Sequence, residues 1–196
     1  YRQNLSKQID PLGVAGAFNN SALVEANPPH ENSFVGTLWA FCRPNTAGTS
    51  VQETLVSLHK NGVTNPLFRI HMTGGTSPTG RWGAQYRNNA GSALNLWPST
   101  GYVRQGDAQH VAATVTSANL ASLYVDGLLH GTGTAPVDDV YREELSIGAV
   151  HRGTTPELAF NGRIFVAGWG KQPHTADELV SLYESPWQLF RHDPIR

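Results

Sequence analysis

The chain has 196 residues, and its 14 basic and 15 acidic residues give a formal net charge of −1. A chain of this length suffices for one domain with a sizeable core. Since no basic excess and no run of like charges occurs, the sequence disfavours nucleic acid or a membrane surface as a partner. No apolar stretch approaches the ~18 residues of a membrane-spanning helix, and the polar start "YRQNLSKQID" is unlike a signal peptide.

Short apolar segments alternate with clusters of Gly, Pro, Asn and Ser, a spacing that predicts an all-β sandwich. The predicted strands are, in chain order, 33–44, 53–60, 66–73, 81–88, 110–117, 122–131, 143–150 and 162–170. In the third of these, apolar residues alternate with Arg69 and His71, which predicts a half-exposed strand. The single cysteine, Cys42, excludes an internal disulfide, and its apolar setting predicts a small buried side chain and not a reactive thiol.

The stretch "SLYVDGLLHG" predicts a β-hairpin. Asp126 and Gly127 tolerate the positive φ angles of a two-residue type I′ turn, and residues that favour β-strands flank them on both sides. A two-residue turn places each residue opposite a defined partner, so the hairpin also sets the register of its two strands.

A helix is predicted near the C-terminus, in "HTADELVSLYES". Thr175 is a candidate N-cap, and Glu178 three residues later completes a capping box. Pro186 marks the end of the helix. Three residues at positions i, i+3 and i+4 form an apolar stripe that should pack on the sandwich: Leu179, Leu182 and Tyr183.

The segments "HVAATVTSANLASLYVDGLLHGTG", "LSIGAV" and "FNGRIFVAGWGKQPHTADEL" resemble the laminin G-like, concanavalin A-like jelly-roll family over about residues 20–185. The resemblance implies a two-sheet antiparallel jelly-roll sandwich with one short C-terminal helix. We therefore divide the chain into an N-terminal arm (1–18), a laminin G-like domain (19–185) and a C-terminal docking tail (186–196). The fold serves lectins, adhesion modules, glycosidases and structural proteins alike, so it does not assign a function.

The ending "ESPWQLFRHDPIR" resembles the closing segment of small structural proteins of tailed bacteriophages that carry this fold. This resemblance implies a non-catalytic virion protein that decorates the capsid or attaches to the tail. The expected partners are the major capsid protein or another virion structural protein, and a second copy of the chain, as in a trimer around a capsid symmetry axis. The expected location is the virion.

Two aromatic residues and an arginine stand out in the tail after the last helix. Trp187 and Phe190, beside Arg191, either fold back over the sandwich or act as anchors on a neighbouring subunit. Both interpretations stay open at this stage, and the three residues are our candidate partner-binding site.

Catalytic and metal-binding patterns are missing from the sequence. A glycosidase needs two converging carboxylates, whereas the neighbouring pairs 138–139 and 143–144 point to opposite faces of a strand and are expected to be solvated surface acids. The eight histidines are scattered without ligand spacing, and oxygen-donor clusters for calcium are absent. The sequence therefore predicts neither an enzyme nor a cofactor or metal site.

The alternative function is a carbohydrate-binding or adhesion module of a secreted or cell-surface protein, with a host surface glycan as its partner. Trp82 and Trp97 flank loops rich in Gly, Asn and Ser, and their rings could stack on a sugar or pack at strand ends. Trp39 and Trp169 lie in apolar strands and are predicted to belong to the core.

Overall fold

The computed structural model describes residues 16–18, 23–31, 35–47, 51–60, 63–73, 80–137, 142–150 and 157–186. These residues form twelve strands and one helix. The strands are β1 (Gly16–Phe18), β2 (Leu23–Glu31), β3 (Gly36–Pro44), β4 (Glu53–His59), β5 (Leu67–Met72), β6 (Trp82–Arg87), β7 (Ala93–Leu96), β8 (Gln109–Val115), β9 (Leu120–Val125), β10 (Leu128–Thr134), β11 (Arg142–Ile147) and β12 (Gly162–Gly170), and the helix is α1 (Ala176–Glu184).

The strands form two six-stranded antiparallel sheets. Sheet A has the order β1-β12-β3-β8-β9-β10, and sheet B has the order β2-β11-β4-β5-β6-β7. The predicted two-sheet jelly-roll sandwich with a C-terminal helix is confirmed. Each predicted strand segment contains a strand, whereas β1, β2 and β7 carry no clear sequence signal. Gly16–Phe18, which we assigned to the N-terminal arm, pair with β12 at the edge of sheet A.

The core lies between the two sheets, where alternate side chains of each strand meet. Phe68 stacks on Tyr86 with ring centroids 4.6 Å apart, and the Trp169 ring meets Phe68 edge-on at 6.0 Å. Cys42 is buried in this core, as predicted. Burial, and then the negative charge of Asp126, raise the pKa of the Cys42 thiol well above its usual value, so the side chain behaves as a small hydrophobe.

The predicted hairpin is present and joins β9 to β10. Asp126 and Gly127 both have positive φ angles, 52° and 78°, as a type I′ turn requires. The expected pairing holds next to the turn, but a bulge at His130 then shifts the register. Asp126 fixes the turn further, because its carboxylate accepts a hydrogen bond from the His110 backbone N–H at 2.9 Å and one from Arg104 at 2.8 Å.

The helix α1 begins with the predicted capping box. Thr175 Oγ1 accepts from the Glu178 backbone N–H at 3.3 Å, and the Glu178 carboxylate accepts from the Thr175 backbone N–H at 2.7 Å. Leu179 and Leu182 are buried in a small second cluster that includes Trp39, but Tyr183 is 39% exposed, so the predicted stripe is narrower than expected. Within the described part of the chain, no helix is long and apolar enough to cross a lipid bilayer.

Candidate functional site

The outer face of sheet B, the side turned away from the core, carries a row of polar side chains. The register of β4, β5, β6 and β7 places Ser57, Arg69, Gln85 and Asn95 side by side across the four strands. We name this surface the polar face. On the same strands the alternating residues, such as Phe68 and Tyr86, point into the core.

Strand β5 is not half exposed, contrary to the prediction. The alternation itself is correct, but Arg69 is only 4% exposed and His71 is fully buried, so both sides of the strand are covered. A buried guanidinium costs several kcal/mol unless polar partners surround it. The polar face must therefore contain hydrogen-bond partners for Arg69.

Three side-chain oxygens hold the Arg69 guanidinium. Arg69 Nε donates to Gln85 Oε1 at 3.0 Å, Nη1 donates to Thr54 Oγ1 at 3.1 Å, and Nη2 donates to Gln52 Oε1 at 2.6 Å. Because the guanidinium is planar and uses separate N–H groups for each bond, it sets the orientation of all three partners.

A chain of hydrogen bonds links Arg69 to the exposed strand β7. Gln85 uses its carbonyl to accept from Arg69, so its Nε2 group is free to donate, and it donates to Asn95 Oδ1 at 2.8 Å. Asn95 lies on the exposed edge strand, and its Nδ2 group has no partner among the described side chains. Two N–H donors of fixed direction thus remain for a ligand.

Trp97 follows β7 immediately and is held by the polar face. Its indole Nε1 donates to His71 Nε2 at 3.2 Å. Burial, and then the charge of Arg69, lower the pKa of His71 well below its usual value, so the neutral imidazole can accept this bond. As a residue Trp97 remains 38% exposed, so this oriented aromatic residue is partly open to solvent.

The indole reaches His71 because residue 83 is a glycine. A Cβ atom at Gly83 would lie 2.8 Å from Trp97 Cδ1 and 3.2 Å from His71 Cε1. Real Cβ atoms essentially never approach other atoms as closely as 2.8 Å, so any other residue at position 83 would displace the ring. Gly83 is therefore part of the site, although it has no side chain that could form a hydrogen bond.

The sequence-predicted site residues lie in different places. Trp97 belongs to the edge of the polar face. Trp82 is 0% exposed in the core, where its Nε1 donates to Gln109 Oε1 at 3.2 Å, so its ring has no free face for a sugar. Trp187, Phe190 and Arg191 lie outside the described residues.

Sequence reasoning missed Arg69, Gln85, Asn95 and Gly83. A signal existed in the alternation of polar and apolar residues along 67–72 and 82–87, but only the register between the strands shows that these residues meet. Each strand alone contributes one or two polar side chains, which by themselves are ordinary.

One acidic residue also differs from its expected setting. Glu144, predicted to be a solvated surface acid, is buried in β11 opposite His59. The neighbouring His59 Nε2 is hydrogen bonded to Ser146 Oγ at 2.8 Å. Among the described residues, no group of three or more His, Cys, Asp or Glu side chains is arranged to hold a metal ion.

The fold is a jelly-roll domain, and the polar face ends in an oriented, partly exposed edge at Asn95 and Trp97. The chain belongs to the concanavalin A-like lectin/glucanases superfamily, whose Laminin_G_3 family model matches residues 17–168. No curated protein sequence matches the chain at a significant level.

Solved structures with the same fold include a sialidase module and a pentraxin. The CBM40 of the Ruminococcus gnavus IT-sialidase is 18% identical with a TM-score of 0.61, and the match covers 82% of this chain and 98% of that one. A heptameric SAP-like pentraxin from Limulus polyphemus is 14% identical with a TM-score of 0.64, over 85% and 80% of the two chains.

A complete sialidase also contains this fold as one part. The NanB sialidase of Streptococcus pneumoniae is 16% identical with a TM-score of 0.63, and the match covers 85% of this chain but 27% of the sialidase. At these identities the likeness concerns the fold alone.

Proposed function

We propose that this protein is a carbohydrate-binding module whose site is the edge of the polar face at Asn95 and Trp97. The observation that carries the proposal is that Trp97 is partly exposed while its indole Nε1 is held by the hydrogen bond to His71. Sugars offer apolar C–H faces that stack on aromatic rings and hydroxyls that bind planar amides, and this edge provides both kinds of group.

The preorganisation of the site favours binding. Asn95 is aligned by Gln85, which is aligned in turn by the buried Arg69. Ordering a free side chain on binding costs about 0.5–1.5 kcal/mol, and this cost is reduced when the side chain is already held by the fold. For a weakly bound ligand such as a sugar, this lower ordering cost raises the affinity directly.

The comparisons support binding more than catalysis. The match extends over nearly the whole CBM40 of the R. gnavus sialidase, and that module has also been solved with α2,3-sialyllactose. By contrast, the match covers only 27% of NanB. We therefore propose that the protein binds its glycan without cleaving it.

The virion hypothesis remains a prediction, because the comparisons provide no support for it. The same holds for the capsid partner, the trimer and the virion location. A carbohydrate-binding function requires none of these, and it is the function that the family and the polar face favour.

A glycan array tests the proposal, with α2,3-sialyllactose as one of the probes. The wild-type chain should bind at least one glycan, and Trp97→Ala should weaken that binding about tenfold or more, since stacking and a held ring contribute on the order of 1–3 kcal/mol. Tyr183→Ala is the matched control, because Tyr183 lies on the helix α1 and is 39% exposed, against 38% for Trp97. An empty array, or equal losses in both variants, would refute the proposal.

A further inference from the structure

A groove lies between the β9–β10 hairpin and the helix α1, bordered by the loop that follows Trp97. This open groove has a volume of about 690 Å³. Its walls come from the loop 100–104, the hairpin residues 125–130 and the last turn of α1. None of these segments contributes to the polar face, so the groove is a separate surface.

The groove is bordered by large apolar side chains that solvent reaches. Leu128 is 66% exposed, Tyr102 is 59% exposed, and Tyr183 faces the groove from the helix. Exposed apolar residues that occur singly are ordinary, but several around one concave surface mark a contact site. The described residues leave this surface uncovered.

The groove is built on rigid parts of the fold. The turn at Gly127 packs directly on the helix, since an added Cβ would lie 3.1 Å from Val180 Cα. The carboxylate of Asp126 binds the His110 backbone and Arg104 on the other side of the turn. The two walls are therefore fixed relative to each other, and the groove exists before anything binds.

The chain continues into its tail at the edge of this groove. Glu184, in the last turn of α1, lines the groove, and the described residues end at Pro186. The next residues, "WQLF", contain three large apolar side chains in four positions. Only Ser185 and Pro186 separate these four residues from Glu184 in the groove wall. Four extended residues span up to ~13 Å, which is enough to run along the groove.

We infer that Trp187 and Phe190 of the same chain occupy the groove between the hairpin and α1. The apolar walls match these two rings, and Arg191 follows them with a charge opposite to that of Glu184 at the rim. The short connection favours the same chain over a second copy, because a tethered segment has an effective concentration in the millimolar range. The tail thereby closes the apolar surface that the hairpin exposes.

Hydrogen exchange of the full-length chain, followed by mass spectrometry, tests this inference. In the wild type the amides of 187–190 should exchange at least about tenfold more slowly than in an unprotected chain. Leu128→Asp places a charge in the groove and should remove the protection. Leu120→Asp is the matched control, because Leu120 is an exposed leucine at the far end of the same hairpin and should leave the protection unchanged.

Each other outcome overturns the inference. Unprotected 187–190 amides in the wild type would show that the tail does not dock. Equal protection in Leu128→Asp and Leu120→Asp would place the tail elsewhere on the molecule. Protection that disappears on dilution, together with a native mass above that of one chain, would mean that the groove holds the tail of a second copy. Trp187→Ala gives a second test that leaves the sandwich untouched, and it should release the protection of 188–190.

Discussion

Replacing Gly83 by alanine would test the geometry of the polar face directly. The new methyl group would lie 2.8 Å from Trp97 Cδ1 and 3.2 Å from both His71 Cε1 and the Leu96 carbonyl oxygen. The strand backbone on either side is paired, so the ring is the part that moves. Its displacement breaks the bond between Trp97 Nε1 and His71 Nε2.

The cost follows from these contacts. One lost hydrogen bond to a buried acceptor and the local overpacking together should lower the free energy of unfolding by about 1–3 kcal/mol. A ligand that stacks on Trp97 should lose about fivefold or more in affinity, since ~1 kcal/mol of ring positioning corresponds to that factor. The fold should survive, because the ring can swing toward solvent.

The indole N–H resonances of the five tryptophans provide an assay that needs no ligand. The Trp97 signal, assigned with Trp97→Phe, should shift and exchange faster in Gly83→Ala. Gly170→Ala is the matched control, because the nearest atom to its Cβ would be 4.0 Å away. An unchanged Trp97 signal in Gly83→Ala would refute the argument that the missing side chain positions the ring.

Three further predictions concern stability. Arg69→Met should lower the free energy of unfolding by about 3 kcal/mol, measured by urea denaturation, because the side-chain oxygens of Gln85, Thr54 and Gln52 lose their hydrogen-bond donor. A loss below ~1 kcal/mol would mean that this hydrogen-bond network contributes little to stability. Burial lowers the pKa of His110 from 6.5 to about 4 in the folded state, so the unfolded state binds a proton more readily between these values. The free energy of unfolding should therefore fall as the pH is lowered from 6.5 to 4. His110→Phe should flatten that slope, and an unchanged slope would contradict the assignment. Thr175→Ala should cost about 1 kcal/mol by thermal denaturation while Thr175→Ser costs little, and equal losses would speak against the capping box.

The sequence predicts the local features of the fold well. The turn at Asp126 and Gly127 and the cap at Thr175 depend on residues within a few positions of each other, so their chemistry is readable directly. The outer positions of β5 show where such reasoning ends. Arg69 looks like an exposed residue until Gln85 and Gln52, which the fold brings from other segments, are seen around it.

The candidate site illustrates the same limit for aromatic residues. Trp82 and Trp97 have similar loop-rich neighbours in sequence, yet one is sealed in the core and the other is partly exposed. The difference arises from the parity of each position in its strand, because Trp82 pairs with Met72 on the inner face while Trp97 shares the outer side with Asn95. A shift of one residue would exchange their roles, and only the sheet register decides it.

The position of β3 has a consequence for the synthesis of the protein. This strand lies between β8 and β12, and β12 is separated from it by roughly 120 residues of chain. At a translation rate of about 5–20 residues per second, one edge of β3 waits roughly 6–24 seconds for its partner. During that interval the nascent chain presents the unpaired apolar strand "GTLWAFCRP" to its surroundings. We expect the growing polypeptide to depend on chaperones until β12 has left the ribosome.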